Sequence, residues 1–300
     1  MPGLIHNTLW PFPQEDYPPA QRLLRSVGKR LTACAAALDA SYRLPSREEL
    51  NRAHEGYDRM AHAYFEHPFR RPLWECMKRS ISGGASLTDY FCLHRYVRRH
   101  KPRRILELGC GISSCILANA LAENATEDPA GEPGHLHSME HLELYFADVQ
   151  KVIPADLKPF VTFHLSPAEV FQWRGMVPTS CYQQLPDEPY QLLFVDGPPA
   201  EGRSNGDMFR VMERLRRPVD ILIDKRVKTA MTLDRYLPKG TVWFDYSQEL
   251  GFARDVTHAM LAAEPRMTMP MRHKDVFTHF DLVAGIPQPA AQPSNHQPAP

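Results

Sequence analysis

Arg103-Arg104-Ile105-Leu106-Glu107-Leu108-Gly109-Cys110-Gly111-Ile112-Ser113-Ser114 reads as a buried strand, a tight glycine turn and the first turn of a helix. Glycine has no Cβ, so such a turn lets the backbone approach a bound ligand closely. The helix behind it opens with unpaired N–H groups and the positive end of its dipole, a seat for a carboxylate or phosphate. Glu107 stands just before the turn, and its charge bears on which ligand the turn accepts.

Outward from this stretch, strands and helices alternate. Strands are expected at 103–108, 135–140, 159–165, 190–196, 218–224, 240–246 and 276–284. Helices are expected at 112–122, 142–152, 167–173, 205–215, 227–236 and 250–263. That rhythm predicts an α/β fold: a Rossmann-like, doubly wound, mainly parallel seven-stranded sheet with helices on both faces. Leu192-Leu193-Phe194-Val195 is apolar throughout, as a central parallel strand should be. Upstream, helices are expected over Pro19–Tyr42, 46–66, 72–80 and 87–100, with Ser46 and Glu49 forming a capping box. Ser82–Ser86 reads as a glycine-rich loop and Glu123–Gly134 as an exposed acidic loop. The chain divides into an N-terminal helical cap (1–85), a ligand-binding domain (86–285) and a proline-rich tail (286–300) too poor in apolar bulk to fold.

Composition narrows the function classes. Thirty-five basic and thirty-five acidic residues balance, so nothing favours nucleic acid or an anionic membrane as partner. No secretory leader and no apolar run of about 20 residues is visible, which leads us to expect a cytoplasmic protein. The six cysteines form no Cys-x-x-Cys pair. His135, His137 and His141 are expected to pack or face solvent, and His94 and His100 to lie on a helix surface.

In open parallel sheets, ligands bind outside the carboxyl ends of the strands. Those ends here carry Glu107 with the Gly109-Cys110-Gly111 turn, then Glu140, Ser166 to Glu169, Asp196-Gly197-Pro198-Pro199, and Asp224-Lys225-Arg226. Glu140 follows Gly111 by 29 positions. A ribose-binding acid usually follows by about 20, and the loop at 123–134 supplies the excess. A dinucleotide fingerprint would place its third glycine at position 114, which is Ser114. Glu107 would repel a pyrophosphate but attract the ammonium and sulfonium of S-adenosylmethionine.

These stretches resemble class I S-adenosylmethionine-dependent methyltransferases. Glu107 to Ser114 is similar to their first motif, Ser138-Met139-Glu140-His141 to the following acidic motif, and Phe194 to Pro199 to the fourth. The resemblance covers about residues 82 to 285 and is strongest for small-molecule enzymes whose fourth motif reads Val-Asp-Gly. It implies S-adenosylmethionine as cofactor, with Gly109 and Gly111 flanking its methionine part, Glu140 on the ribose, Asp196 facing the methyl, and Glu107 and Ser113 as further cofactor-binding residues. Ser166 stands where family members often carry an aspartate near the adenine, and is expected to hydrogen-bond a base edge.

Asp196 and Asp224 are the candidate catalytic carboxylates. A shared divalent ion is an alternative, disfavoured because Lys225 stands where catechol-type enzymes carry asparagine. The acceptor is expected to be a small molecule methylated at oxygen. Lys225, Arg226 and Lys228 raise the hypothesis that it is anionic. The rival readings are a catalytically inactive methyltransferase-like binding protein, an NAD-type oxidoreductase and an aminopropyltransferase. The cap helices are expected to form a lid or a homodimer surface.

Overall fold

A computed structural model of the protein describes residues 44–82, 86–173, 178–199, 202–266 and 271–286. The expectations for residues 1–43, for most of the Ser82–Ser86 loop and for nearly all of the tail lie outside these residues.

A seven-stranded sheet forms the centre. Its strands are β1 (Arg104–Leu108), β2 (His135–Glu140), β3 (Val161–Leu165), β6 (Leu192–Val195), β8 (Val219–Asp224), β9 (Val242–Asp245) and β10 (Leu250–Val256), in the order β3-β2-β1-β6-β8-β10-β9. All neighbouring pairs from β3 to β8 are parallel, and β10 enters antiparallel between β8 and β9. Parallel strands must be covered on both faces, and the inner ones obey. Every residue of β6 and β8 is buried. Side chains alternate between faces, so Ile105 joins one apolar cluster while Leu106 and Leu108 join the other.

Helices α1 (Arg47–Phe65), α2 (Arg71–Arg79), α3 (Leu87–His100), α4 (Ile112–Glu127), α5 (Glu143–Val152), α6 (Asp207–Arg214) and α7 (Val227–Tyr236) complete the layers, with a short α8 (Val276–His279). The Ser46–Glu49 capping box is formed, and Ser86 with Asp89 makes a second one at the start of α3. Ala61, Tyr64 and Phe65 of α1 bury their side chains in the cluster that also holds Phe91, Leu117 and Phe194.

Four expectations are corrected. Residues 250–263 begin with strand β10, not a helix, because this segment fills the gap between β8 and β9 and pairs antiparallel with both. Residues 276–284 start with the helical turn α8, and Val276, Phe277, Phe280 and Leu282 are buried as plugs in the core rather than paired as a strand. Residues 167–173 hold strand β4 (Ala168–Phe171) in place of a helix. It pairs with β5 (Thr179–Tyr182), and β5 pairs with β7 (Ser204–Asn205), giving a second, three-stranded sheet. Finally, α4 continues to Glu127, so Glu123 is a helix residue rather than loop.

His94 is also not on a surface. It is fully buried, with Nδ1 2.7 Å from Tyr64 Oη and Nε2 2.9 Å from Asn119 Oδ1.

Candidate active site

The two turns that follow β1 and β6 are packed back to back. Gly109 takes a positive φ of 105°, and a Cβ there would lie 2.8 Å from the backbone carbon of Asp196. A Cβ on Gly197 would meet Gly109 Cα at 2.7 Å and Tyr182 Oη at 2.8 Å. Only glycine fits both positions. Backbone bonds lock the strand ends together: Asp196 N–H donates to Leu108 O at 2.7 Å, and Gly109 N–H to Met139 O at 3.1 Å.

A cavity of about 350 Å³ opens over this junction. Gly109, Gly111, Ser113, Glu140 and Asp196 all line it, together with Tyr90, Tyr145, Tyr182 and Arg226. Five of the sequence-predicted site residues are thus brought to one place. Glu107, Ser166 and Asp224 are not on its lining.

Glu107 lies beneath the turn. Its Oε2 accepts bonds from Ser114 Oγ at 2.5 Å and Ser138 Oγ at 2.6 Å, and Ser114 Oγ in turn accepts Gly111 N–H at 3.2 Å. Burial raises Glu107 to about 7, against the lowering effect of the serine hydroxyls. The carboxyl therefore shapes the turn from below. Ser166 follows β3 beside Glu140, but its hydroxyl accepts Gln184 N–H at 3.0 Å.

One oxygen of Glu140 is fixed by backbone. The N–H groups of His141 and Leu142 donate to its Oε1 at 2.7 and 2.8 Å, while among the described residues the donor to Oε2 is the weak Cys110 Sγ at 3.6 Å. A ribose offers the two hydroxyl donors that such an acid accepts.

Asp196 lines the same cavity. Arg226 donates to both its carbonyl oxygen and its Oδ1, the latter at 3.2 Å. Although 38% of its side chain is open to solvent, the enclosure around the carboxylate raises it to about 6. Arg226 and Lys225 oppose the rise, and Asp89 adds to it. Asp224 is buried behind it and raised to about 8 by desolvation and by the charges of Asp89 and Asp196. Asp89, the second capping-box acid, is buried and lies 3.6 Å from Lys225 Nζ. Sequence reading missed Asp89, although Ser86-x-x-Asp89 was a visible capping signal. It also missed Tyr90 and Tyr182, whose positions no local pattern marks. Among the described residues, no three His, Cys, Asp or Glu side chains converge as a metal ion would require.

Residues 106–225 match a protein family described as a methyltransferase domain. The match covers less than half of the chain and identifies a methyltransferase domain within it. The matched span runs from within β1 to just past the end of β8 and contains Glu107, Gly109, Glu140 and Asp196. Compared by sequence with curated proteins, the chain finds no match. Among solved structures it is similar to an O-methyltransferase from Bacillus cereus in complex with SAH, at 18% identity and a TM-score of 0.36, covering 51% of this chain and 66% of that one. It is similar to cofactor-bound Rv0187 from MTB at 13% identity and a TM-score of 0.40, covering 64% and 91% of the two chains. A SAH-bound methyltransferase from Podospora anserina gives 18% identity and a TM-score of 0.36, with 61% and 72% covered. No helix among the described residues is long and apolar enough to cross a membrane.

Buried carboxyls make the fold sensitive to alkali. Asp207, whose carboxylate oxygens accept Tyr182 N–H at 3.0 and 3.2 Å, is raised by burial to about 8, like Asp224. In an unfolded chain both ionise near pH 4. Between those values the native state keeps protons that the unfolded chain has released. The stabilisation is therefore complete below about pH 4 and is lost as pH rises through 8. Urea unfolding is expected to show a loss on the order of a few kcal/mol between pH 6 and pH 9. Asp207→Asn should flatten that slope, and stability that holds level or rises over this range would contradict it.

Proposed function

We propose that the protein transfers a methyl group to a hydroxyl oxygen of a small molecule, with Asp196 as the base. The observation that supports this most is the placement of Asp196 on the lining of the same cavity as Glu140, raised to about 6 and partly open to solvent. A carboxylate ionised at neutral pH yet more basic than usual suits removal of a hydroxyl proton as the new bond forms.

The residues fit S-adenosylmethionine. The bare Cα of Gly109 leaves room at the turn, Ser113 and the start of α4 face the cavity, and Glu140 Oε2 remains for ribose hydroxyls. The bound cofactor supplies an electrophilic methyl on a sulfonium. The chain's part is to hold donor and acceptor in line, which contributes roughly 7–11 kcal/mol in well-aligned reactions. It also accepts one proton at Asp196. Asp224, raised to about 8, stays protonated at neutral pH and adds no second charge behind the base.

The acceptor's charge follows from the same contacts. Arg226 is bonded to Asp196 and Lys225 lies against Asp89. Two of the three cations that motivated an anionic acceptor are thus engaged by carboxylates of the site, which favours an uncharged hydroxyl end.

Asp196→Asn tests the assignment. The variant should bind S-adenosylhomocysteine within a few-fold of wild type and lose at least about 100-fold in turnover on a panel of phenolic and aliphatic alcohols. Unchanged turnover would remove Asp196 from the role. Binding without turnover in the wild type, across the whole panel, would favour a ligand-binding protein instead.

A further inference from the structure

We propose that Asn205 is the positioning residue that sets the Asp196-Gly197-Pro198 turn, and with it the wall on which cofactor and base are aligned. This rests on the reading of the cavity as the S-adenosylmethionine site.

Asn205 lies on β7 of the small sheet, is fully buried and does not line the cavity. Both of its amide hydrogens are spent on the turn. Nδ2 donates to Gly197 O at 2.7 Å and to Pro198 O at 2.8 Å. Its own orientation is fixed from the other side. Thr229 Oγ1, on α7, donates to Asn205 Oδ1 at 3.0 Å and accepts Asn205 N–H at 3.0 Å. The hydroxyl thus identifies which end of the amide is oxygen and directs the NH₂ group at the two carbonyls. No other neutral side chain of this length offers two donors and an acceptor in that arrangement.

Among the described residues, Asn205 supplies the side-chain donors to both carbonyls of the turn. The turn's front face must stay bare for Gly109, since the two glycines touch. Two buried carbonyls without donors would be costly, so the segment would rotate to find partners. Any rotation carries Asp196 with it and disturbs the seat of Gly109.

The experiment measures S-adenosylhomocysteine affinity by calorimetry and melting temperature by scanning, on wild type, Asn205→Asp, Thr229→Val and Thr229→Ser. Asn205→Asp keeps the shape but aims an oxygen at two carbonyls. Thr229→Val removes only the orienting hydroxyl, and Thr229→Ser restores it. At a temperature where all are folded, affinity should fall roughly tenfold or more in Asn205→Asp and about fivefold in Thr229→Val. Thr229→Ser should bind within twofold of wild type. Should Asn205→Asp fail to fold, the two threonine variants decide. Equal affinity in Thr229→Val and Thr229→Ser, whatever their melting temperatures, overturns the proposal and leaves Asn205 a packing residue. A wild type that does not bind S-adenosylhomocysteine overturns the underlying cofactor reading first, and is recognised because no variant is needed to see it.

Discussion

Gly109→Ala should bind S-adenosylhomocysteine at least about 100-fold more weakly than wild type and unfold several degrees earlier. The new methyl would sit 2.8–2.9 Å from the backbone carbon and oxygen of Asp196 and from Gly197 N, and φ is 105°. Backbone cannot step aside as a flexible side chain can, and an L-residue is strained at that φ. Either the β1 turn lifts into the cavity or the β6 turn retreats, and both faces of the cofactor seat are spoiled. The expected cost is on the order of 2–4 kcal/mol in stability as well. Calorimetric titration and a thermal melt check both halves. Wild-type affinity in this variant would show that the two turns separate freely, contrary to the packing described.

The largest stability effect outside the site is expected at Glu123. Arg70 donates to it from Nε and Nη2, each at 2.9 Å, and Arg98 Nε lies 3.0 Å from Oε2. His94 Nε2 lies 3.5 Å from Oε1. The Glu123 side chain is only 9% exposed. Burial pushes its pKa up, but His94 and Arg70 outweigh that and hold it at about 2. The ion pairs join the turn before α2 to α3 and α4. Glu123→Ala leaves two half-buried guanidinium groups without their shared counter-charge, and removing one member of such a set costs about 3–5 kcal/mol. Since the folded pKa is depressed, this stabilisation is present above about pH 4.5 and fades as pH falls toward 2. Chemical denaturation at pH 7 measures it, and a loss under about 1 kcal/mol would mean that solvent screens the network.

What the sequence made legible was local. The strand, turn and helix at 103–114 are contiguous, so their chemistry could be read from one window, and Gly109, Gly111, Ser113, Glu140 and Asp196 do meet. Glu107 was correctly placed at the strand end, but its direction was not. A strand residue faces one side or the other by register, and Glu107 turned toward Ser114 and Ser138. The swap of strand and helix near the C-terminus has a similar origin. Leu250, Phe252 and Ala253 satisfy either period over a short window, and only the vacancy between β8 and β9 selects the strand. His94 was misread because its partners, Tyr64, Asn119 and Glu123, come from distant turns of chain. Asn205 was invisible for the same reason, since nothing around it announces what Gly197 and Thr229 will require.

The interleaving of the two sheets orders how the molecule completes itself. Strands β4 and β5 belong to the connection between β3 and β6, β7 to the next crossover, and Thr229 to the helix after β8. A nascent chain halted before Val219 would already own the whole glycine loop and Glu140. It would still lack the threonine that bonds the asparagine behind Gly197 and Pro198. If Asn205 sets that turn as proposed, ligand recognition would be acquired late in synthesis, once the helix after β8 has docked.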